Sequence, residues 1–145
     1  MAGLYIDTSA LARVMLGEPD TPAITAVLAS FEQHFSSRLL AIELRRVALR
    51  EAMPAVADAL LGSVALVPLD EAILVHAETV MPATVATLDA LHLAYAELVA
   101  VPLAERDEPI GFASRDTAQT AAAEARAFVT RLTCDNTAPE SLMCP

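Results

Sequence analysis

Short apolar runs alternate along this chain with longer stretches in which apolar residues recur every three or four positions. Residues 3–7 (GLYID) form an apolar run that ends on an acid, the pattern of a buried strand. Thr8 or Ser9 can then cap a helix with Ala10, Leu11, Val14 and Met15 on its apolar face, ended by Gly17 with Pro19 two residues on. Asp20 or Thr21 caps a second helix, with Pro22 in its first turn and Ile24, Val27, Leu28 and Phe31 at helical spacing. Residues 35–40 read as a short strand weakened by its serines, and the chain is helical again from Ala41. Pro54 starts a further helix that Gly62 ends. Residues 64–69 are a third strand, and Asp70 caps a helix to about Thr79. After Pro82 a helix runs over about 87–99, and 101–109 (VPLAERDEP) is a polar loop. Residues 110–113 are a fourth strand, followed by an Ala-rich helix over about 117–128. Residues 129–133 can add an edge strand.

Strands alternating with helices predict an α/β fold with a parallel sheet covered on both faces. The expected architecture is three-layer α/β/α, with a central, mainly parallel sheet of four to five strands. A length of 145 residues fits one domain with a sizeable core. There is no internal repeat and no dividing linker. The expected division is a domain over 1–133 and an irregular tail over 134–145.

Composition narrows the class. Apolar content is 55%, yet no apolar run approaches the length that spans a bilayer. The N-terminus reads as a strand entering a helix, without a signal-type segment. Cys134 and Cys144 both lie in the tail, which excludes a disulfide framework for the fold. A cytoplasmic protein without membrane association is expected. Net charge is −10, and all nine bases are arginine. Such a field repels nucleic acid at long range. Any nucleic-acid contact must be local, through Arg13, Arg38, Arg45, Arg46 and Arg50, or through a bridging metal. The acidic surface serves solubility, or else it meets a basic protein partner.

Four acids sit far apart, each inside an apolar stretch: Asp7 in GLYIDTSAL, Glu43 in LLAIELRRV, Asp89 in ATLDALHLA and Asp116 in GFASRDTAQ. Carboxylates are costly to bury unless paired, protonated or bound to a cation. Parallel sheets bind ligands beyond the carboxyl ends of their strands, where Asp7 and Asp116 fall. Glu43 and Asp89 lie near helix starts that can aim them at the same edge. The long separations exclude a local metal loop, so the site would be composite. Oxygen donors without convergent His or Cys favour Mg²⁺ or Mn²⁺ over zinc, and metal-assisted phosphodiester hydrolysis follows. Each acid also has a plain structural reading. Asp7 and Asp116 can cap helices, Glu43 can pair with Arg46 or Arg50, and Asp89 can complement a helix dipole. His92, one turn after Asp89, reads as a core histidine that bonds internally, with catalysis as the rival.

Several segments together carry a resemblance: YIDTSAL at 5–11 with Arg13 and the EP pair at 18–19, SSRLLAIELRR at 36–46, VPLDEAIL at 67–74, LDALHLAYA at 88–96, and SRD at 114–116. In this order they resemble the PIN-domain ribonucleases, and most closely the VapC-type toxins of bacterial toxin–antitoxin pairs. The resemblance implies a PIN-like fold and a Mg²⁺- or Mn²⁺-dependent endoribonuclease. It makes Asp7, Glu43, Asp89 and Asp116 the metal-binding acids. Ser9 becomes the hydroxyl that supports the first carboxylate, and Ser114 stands where relatives carry threonine. It also implies cleavage of structured RNA such as tRNA or rRNA, a homodimer, and inhibition by a cognate antitoxin. The ERDEP segment departs from the family pattern and leaves Asp107 as an alternative to Asp116. The rival functions are a housekeeping ribonuclease of the same fold, a catalytically silent interaction module, and a phosphoacceptor domain. The last normally needs a lysine, and this chain has none.

Overall fold

The computed structural model describes residues 3–104, 106, 108, 110–130 and 132. Four parallel strands, β1 (Gly3–Ile6), β2 (Gln33–Ser37), β3 (Ala65–Val67) and β4 (Ile110–Ala113), form one sheet in the order β3-β2-β1-β4. The central strand β1 pairs in register with β2 through Gly3 and Gln33, and with β4 through Gly3 and Ile110. The connecting helices are α1 (Thr8–Leu16), α2 (Thr21–Ala29), α3 (Arg38–Arg50), α4 (Pro54–Leu61), α5 (Glu71–Ala77), α6 (Thr87–Ala104) and α7 (Thr117–Glu124).

Strand side chains alternate between faces, and that alternation builds two cores. Leu4 and Ile6 pack on one side with Leu11, Met15, Leu40 and Leu44, beneath α1–α4. Tyr5 and Phe112 point to the other side, where Leu93, Tyr95, Ala122 and Phe128 join them beneath α5–α7. The result is the three-layer α/β/α architecture with both sheet faces covered. Tyr5 and Phe112 stack with ring centroids 5.5 Å apart. Gly111 is required where β4 passes the first core. A Cβ there would fall 2.4 Å from Phe31 Cζ and 2.7 Å from Leu4 Cδ1.

The elements depart from the sequence pattern at their ends. The Ser37 side chain accepts from the Leu39 N–H and starts α3 at Arg38, so 38–40 belong to the helix and not to the strand. Asp7, rather than Thr8 or Ser9, caps α1. Asp20 stands at the N-cap of α2 but makes no capping bond with its side chain. Helix α6 runs through 101–104, part of the segment read as a polar loop, and carries Pro102 near its end. Helix α7 stops at Glu124, because the chain turns through Ala127 at φ 63°. Beyond it, one parallel bridge joins Val129 to Gly111 where an edge strand was expected. Asp107, Cys134, Cys144 and the tail over 134–145 lie outside the described residues. Among the described residues, no helix is long and apolar enough to cross a membrane.

Candidate active site

The carboxyl edge of the sheet gathers the chemistry. Asp7 follows β1 directly, and Ser114, Arg115 and Asp116 link β4 to α7. Glu43 lies in the second turn of α3, after β2, and Asp89 in the first turn of α6. The parallel order places all four elements around one end of the central strands.

Asp7 is buried and held mainly through one oxygen. Its Oδ2 accepts from the Ser9 N–H at 3.1 Å and the Ser9 hydroxyl at 2.5 Å. The first bond caps α1. Ser9 Oγ in turn accepts from the Arg115 N–H at 2.8 Å, which ties the turn after β1 to the turn after β4. Ser114 Oγ lies 3.2 Å from Asp7 Oδ2 and 2.7 Å from Gln119 Oε1, and it accepts from the Asp116 N–H at 3.0 Å. Gln119 is fully buried, and its side-chain amide reaches the Asp89 carbonyl at 3.4 Å. Both serines therefore position acids.

Glu43 and Asp7 meet at His92. This imidazole is 1% exposed, with Nε2 2.9 Å from Glu43 Oε1 and 3.4 Å from Asp7 Oδ1. Thr8 Oγ1 donates to the same Glu43 oxygen at 2.9 Å. Burial alone would raise the Glu43 carboxyl, but the His92 and Thr8 contacts outweigh it and hold the group below its ordinary range. Asp89 behaves oppositely. Burial, then the charges of Asp7 and Asp116, push it up to about 6, with a further push from Glu43 that His92 partly opposes. Asp7, Asp116 and Glu43, all distant in sequence, thus lie within electrostatic reach of Asp89. Asp116 caps α7, its Oδ1 accepting from the Gln119 N–H at 2.8 Å, which is the structural reading of this residue.

The arginines are placed differently from the expectation. Arg13 donates from Nε to both oxygens of Asp20, at 2.8 and 2.9 Å, and Arg115 Nε reaches Asp20 Oδ2 at 2.9 Å. Burial would raise Asp20, but Arg13 first and then Arg115 hold it below the usual carboxylate range. Arg45 pairs with Asp58 of α4 on the surface, whereas Arg38, Arg46 and Arg50 are exposed along α3. Glu43 pairs with none of them. The sequence pattern singled out neither Thr8 as a Glu43 partner, nor Tyr5, Gln119, or the Arg115–Asp20 pair. The contacts Thr8–Glu43, Tyr5–His92, Gln119–Asp89 and Arg115–Asp20 all join residues far apart in the chain, where spacing carries no signal.

The donor set suits a hard divalent cation: carboxylates and hydroxyls with one histidine and no thiol. The repulsion that adds to burial in raising Asp89 is what a cation would relieve. Among the described residues, no three His, Cys, Asp or Glu side chains already stand in a metal-holding arrangement. Glu43 Oε1 is taken by His92 and Thr8, and Asp7 Oδ2 by Ser9, so ligation would use the remaining oxygens after side-chain rotation.

The chain matches known proteins in sequence and in fold. A family model described as PIN domain matches residues 4–118. Ribonuclease VapC47 of Mycobacterium tuberculosis is 38% identical over 100 residues, covering 64% of this chain and 74% of that protein. Ribonuclease VapC46 of the same organism is 31% identical over 105 residues, covering 71% and 81%. The crystal structure of M. tuberculosis VapC20, described as a sarcin–ricin loop cleaving toxin, superposes with a TM-score of 0.63. It covers 87% of this chain and 96% of that one, and at 15% identity the likeness is one of fold.

Proposed function

The chain belongs to the PIN-domain family, and on that premise we propose that it is a VapC-type ribonuclease toxin. We infer that it is an endoribonuclease that hydrolyses RNA phosphodiester bonds with Mg²⁺ or Mn²⁺. The observation that carries this reading is the convergence of Asp7, Glu43, Asp89 and Asp116 at one sheet edge, where Nε2 of His92 joins Glu43 to Asp7 and the charges of Asp7, Asp116 and Glu43 add to burial in raising Asp89. These four acids are the proposed ligands. When bound, such an ion activates water and stabilises charge on the phosphate oxygens. The chain's own contribution is orientation. Ser9 holds one oxygen of Asp7, and Thr8 and His92 hold one oxygen of Glu43, which leaves the other oxygen of each for ligation.

RNA of the tRNA or rRNA class is the proposed substrate, taken from the family. The exposed Arg38, Arg46 and Arg50 on α3 support phosphate contact next to Glu43. A net charge of −10 suits a basic segment of a cognate antitoxin. Exposed Leu74 and Val75 on α5 and Leu98 on α6 offer apolar surface for a second copy, the proposed homodimer. The proposed location is the cytoplasm.

The test is direct. Purified protein should cleave RNA with Mg²⁺ or Mn²⁺, EDTA should stop it, and Asp7→Asn or Asp89→Asn should abolish it. Undiminished cleavage by either variant would end the assignment.

A further inference from the structure

His92 connects the site to the core in one direction. Nε2 faces Glu43 Oε1 at 2.9 Å and Asp7 Oδ1 at 3.4 Å, while Nδ1 lies 2.9 Å from the Tyr5 hydroxyl. An ionised carboxylate only accepts, so Nε2 carries a hydrogen. Nδ1 bonds the Tyr5 hydroxyl, which donates to it in the neutral ring and accepts from it in a ring that carries both hydrogens. The relay Tyr5–His92–Glu43 runs from β1 through α6 to α3. Every member except Glu43 is buried to within 1%. The edge-on contact of the Tyr5 and His92 rings, 5.9 Å between centroids, fixes the imidazole plane.

We propose that His92 is a positioning residue for metal binding: its Nε2–H, with Thr8, holds Glu43 Oε1 and so orients the free carboxylate oxygen, while Tyr5 holds the ring in the orientation that does so. The proposal rests on the metal-dependent reading above. A glutamate has several rotors, and ordering a long side chain costs conformational entropy, which preorganisation removes from the binding step. Because Nε2 also lies beside Asp7, the same ring sets the spacing between two proposed ligands. A residue present only to fill space would do so with any side chain of that volume. Here the direction of the hydrogen bond matters.

The experiment titrates MnCl₂ into the full chain by calorimetry, with circular-dichroism melting in EDTA as the control for folding. Loss of an outer hydrogen bond to a ligand weakens metal binding by about 10–100-fold, the effect expected for His92→Leu. His92→Gln, whose amide N–H can occupy the place of Nε2–H, should stay closer to wild type than His92→Leu. Tyr5→Phe touches no proposed ligand and should also weaken Mn²⁺ binding. Folded His92→Leu that binds Mn²⁺ as tightly as wild type overturns the proposal. If His92→Leu does not fold, Tyr5→Phe decides: weakened binding supports the relay, and wild-type affinity overturns it. Absence of Mn²⁺ binding by the wild type would instead sink the metal reading itself, so the two failures are separable.

Discussion

Ser9 bonds Asp7 twice, with its N–H and its hydroxyl both on Oδ2, at 3.1 and 2.5 Å. One carboxylate oxygen therefore caps α1 while the other faces His92. The hydroxyl also accepts from the Arg115 N–H, so it joins two strand-end turns. Ser9→Ala keeps the cap and loses the hydroxyl. Stability should fall by about 2 kcal/mol, the usual worth of the two hydrogen bonds that the hydroxyl makes with Asp7 and Arg115. Mn²⁺ affinity should fall by about 10-fold or more, as expected when a ligand loses its outer support. Ser9→Thr should restore both in calorimetry and thermal melts.

The Asp89 carboxyl, raised to about 6 by burial and by Asp7 and Asp116, makes a signed prediction. Its folded value lies above its ordinary value, so the folded chain binds the proton more tightly than the unfolded one. Stability is then greatest at low pH as far as this group is concerned, and it is lost as pH rises from about 4 through about 6. Asp89→Asn removes the charge that causes the loss. In EDTA the variant should melt above wild type at pH 7.5, with the gap closing as pH falls towards 4. A gap that widens on acidification would contradict the placement of Asp89 among the other acids.

Asp20 offers a test outside the acid cluster. It is buried and shared by Arg13 and Arg115, which brings α1 and the turn after β4 to one carboxylate. Its pairs lie between exposed and buried, since Arg13 is about one-third exposed. Asp20→Asn should therefore cost about 2 kcal/mol, between the values for exposed and fully buried pairs. Urea unfolding measures this. Mn²⁺ affinity should change little, because none of the four acids is a direct partner of Asp20 among the contacts observed.

How far the sequence discloses this molecule depends on the range of each interaction. Strand positions, the parallel sheet and its two cores were legible because alternation and helical periodicity are local. The four candidate acids stood out for a similar reason, because each interrupts an apolar run at a strand end or helix start. Helix ends were less legible. Helix α7 stops before Ala127, which adopts φ 63° without the glycine that normally announces such a turn. Helix α6 runs on through Pro102, which lacks the N–H an interior turn needs, into a segment whose polar composition reads as a loop. Gln119 sits in TAQTAAAE, where nothing marks it as buried, yet it bonds Ser114 and reaches the carbonyl of Asp89. The Tyr5–His92–Glu43 relay joins three elements by tertiary packing alone.

Asp116 holds two positions at once, and its substitutions separate them. Its Oδ1 caps α7 through the Gln119 N–H, while its charge helps to raise Asp89. Asparagine retains the capping oxygen and removes the charge, whereas alanine removes both. Asp116→Ala should lose about 1 kcal/mol, the usual cost of an absent N-cap, and Asp116→Asn only a few tenths. If Asp116 is a ligand as well as a cap, both variants should weaken Mn²⁺ binding to a similar degree despite their different stabilities. If it is a cap alone, Asp116→Asn should bind Mn²⁺ like wild type. Parallel calorimetry and urea unfolding on the two variants therefore assign the residue, because capping tracks the oxygen and ligation tracks the charge.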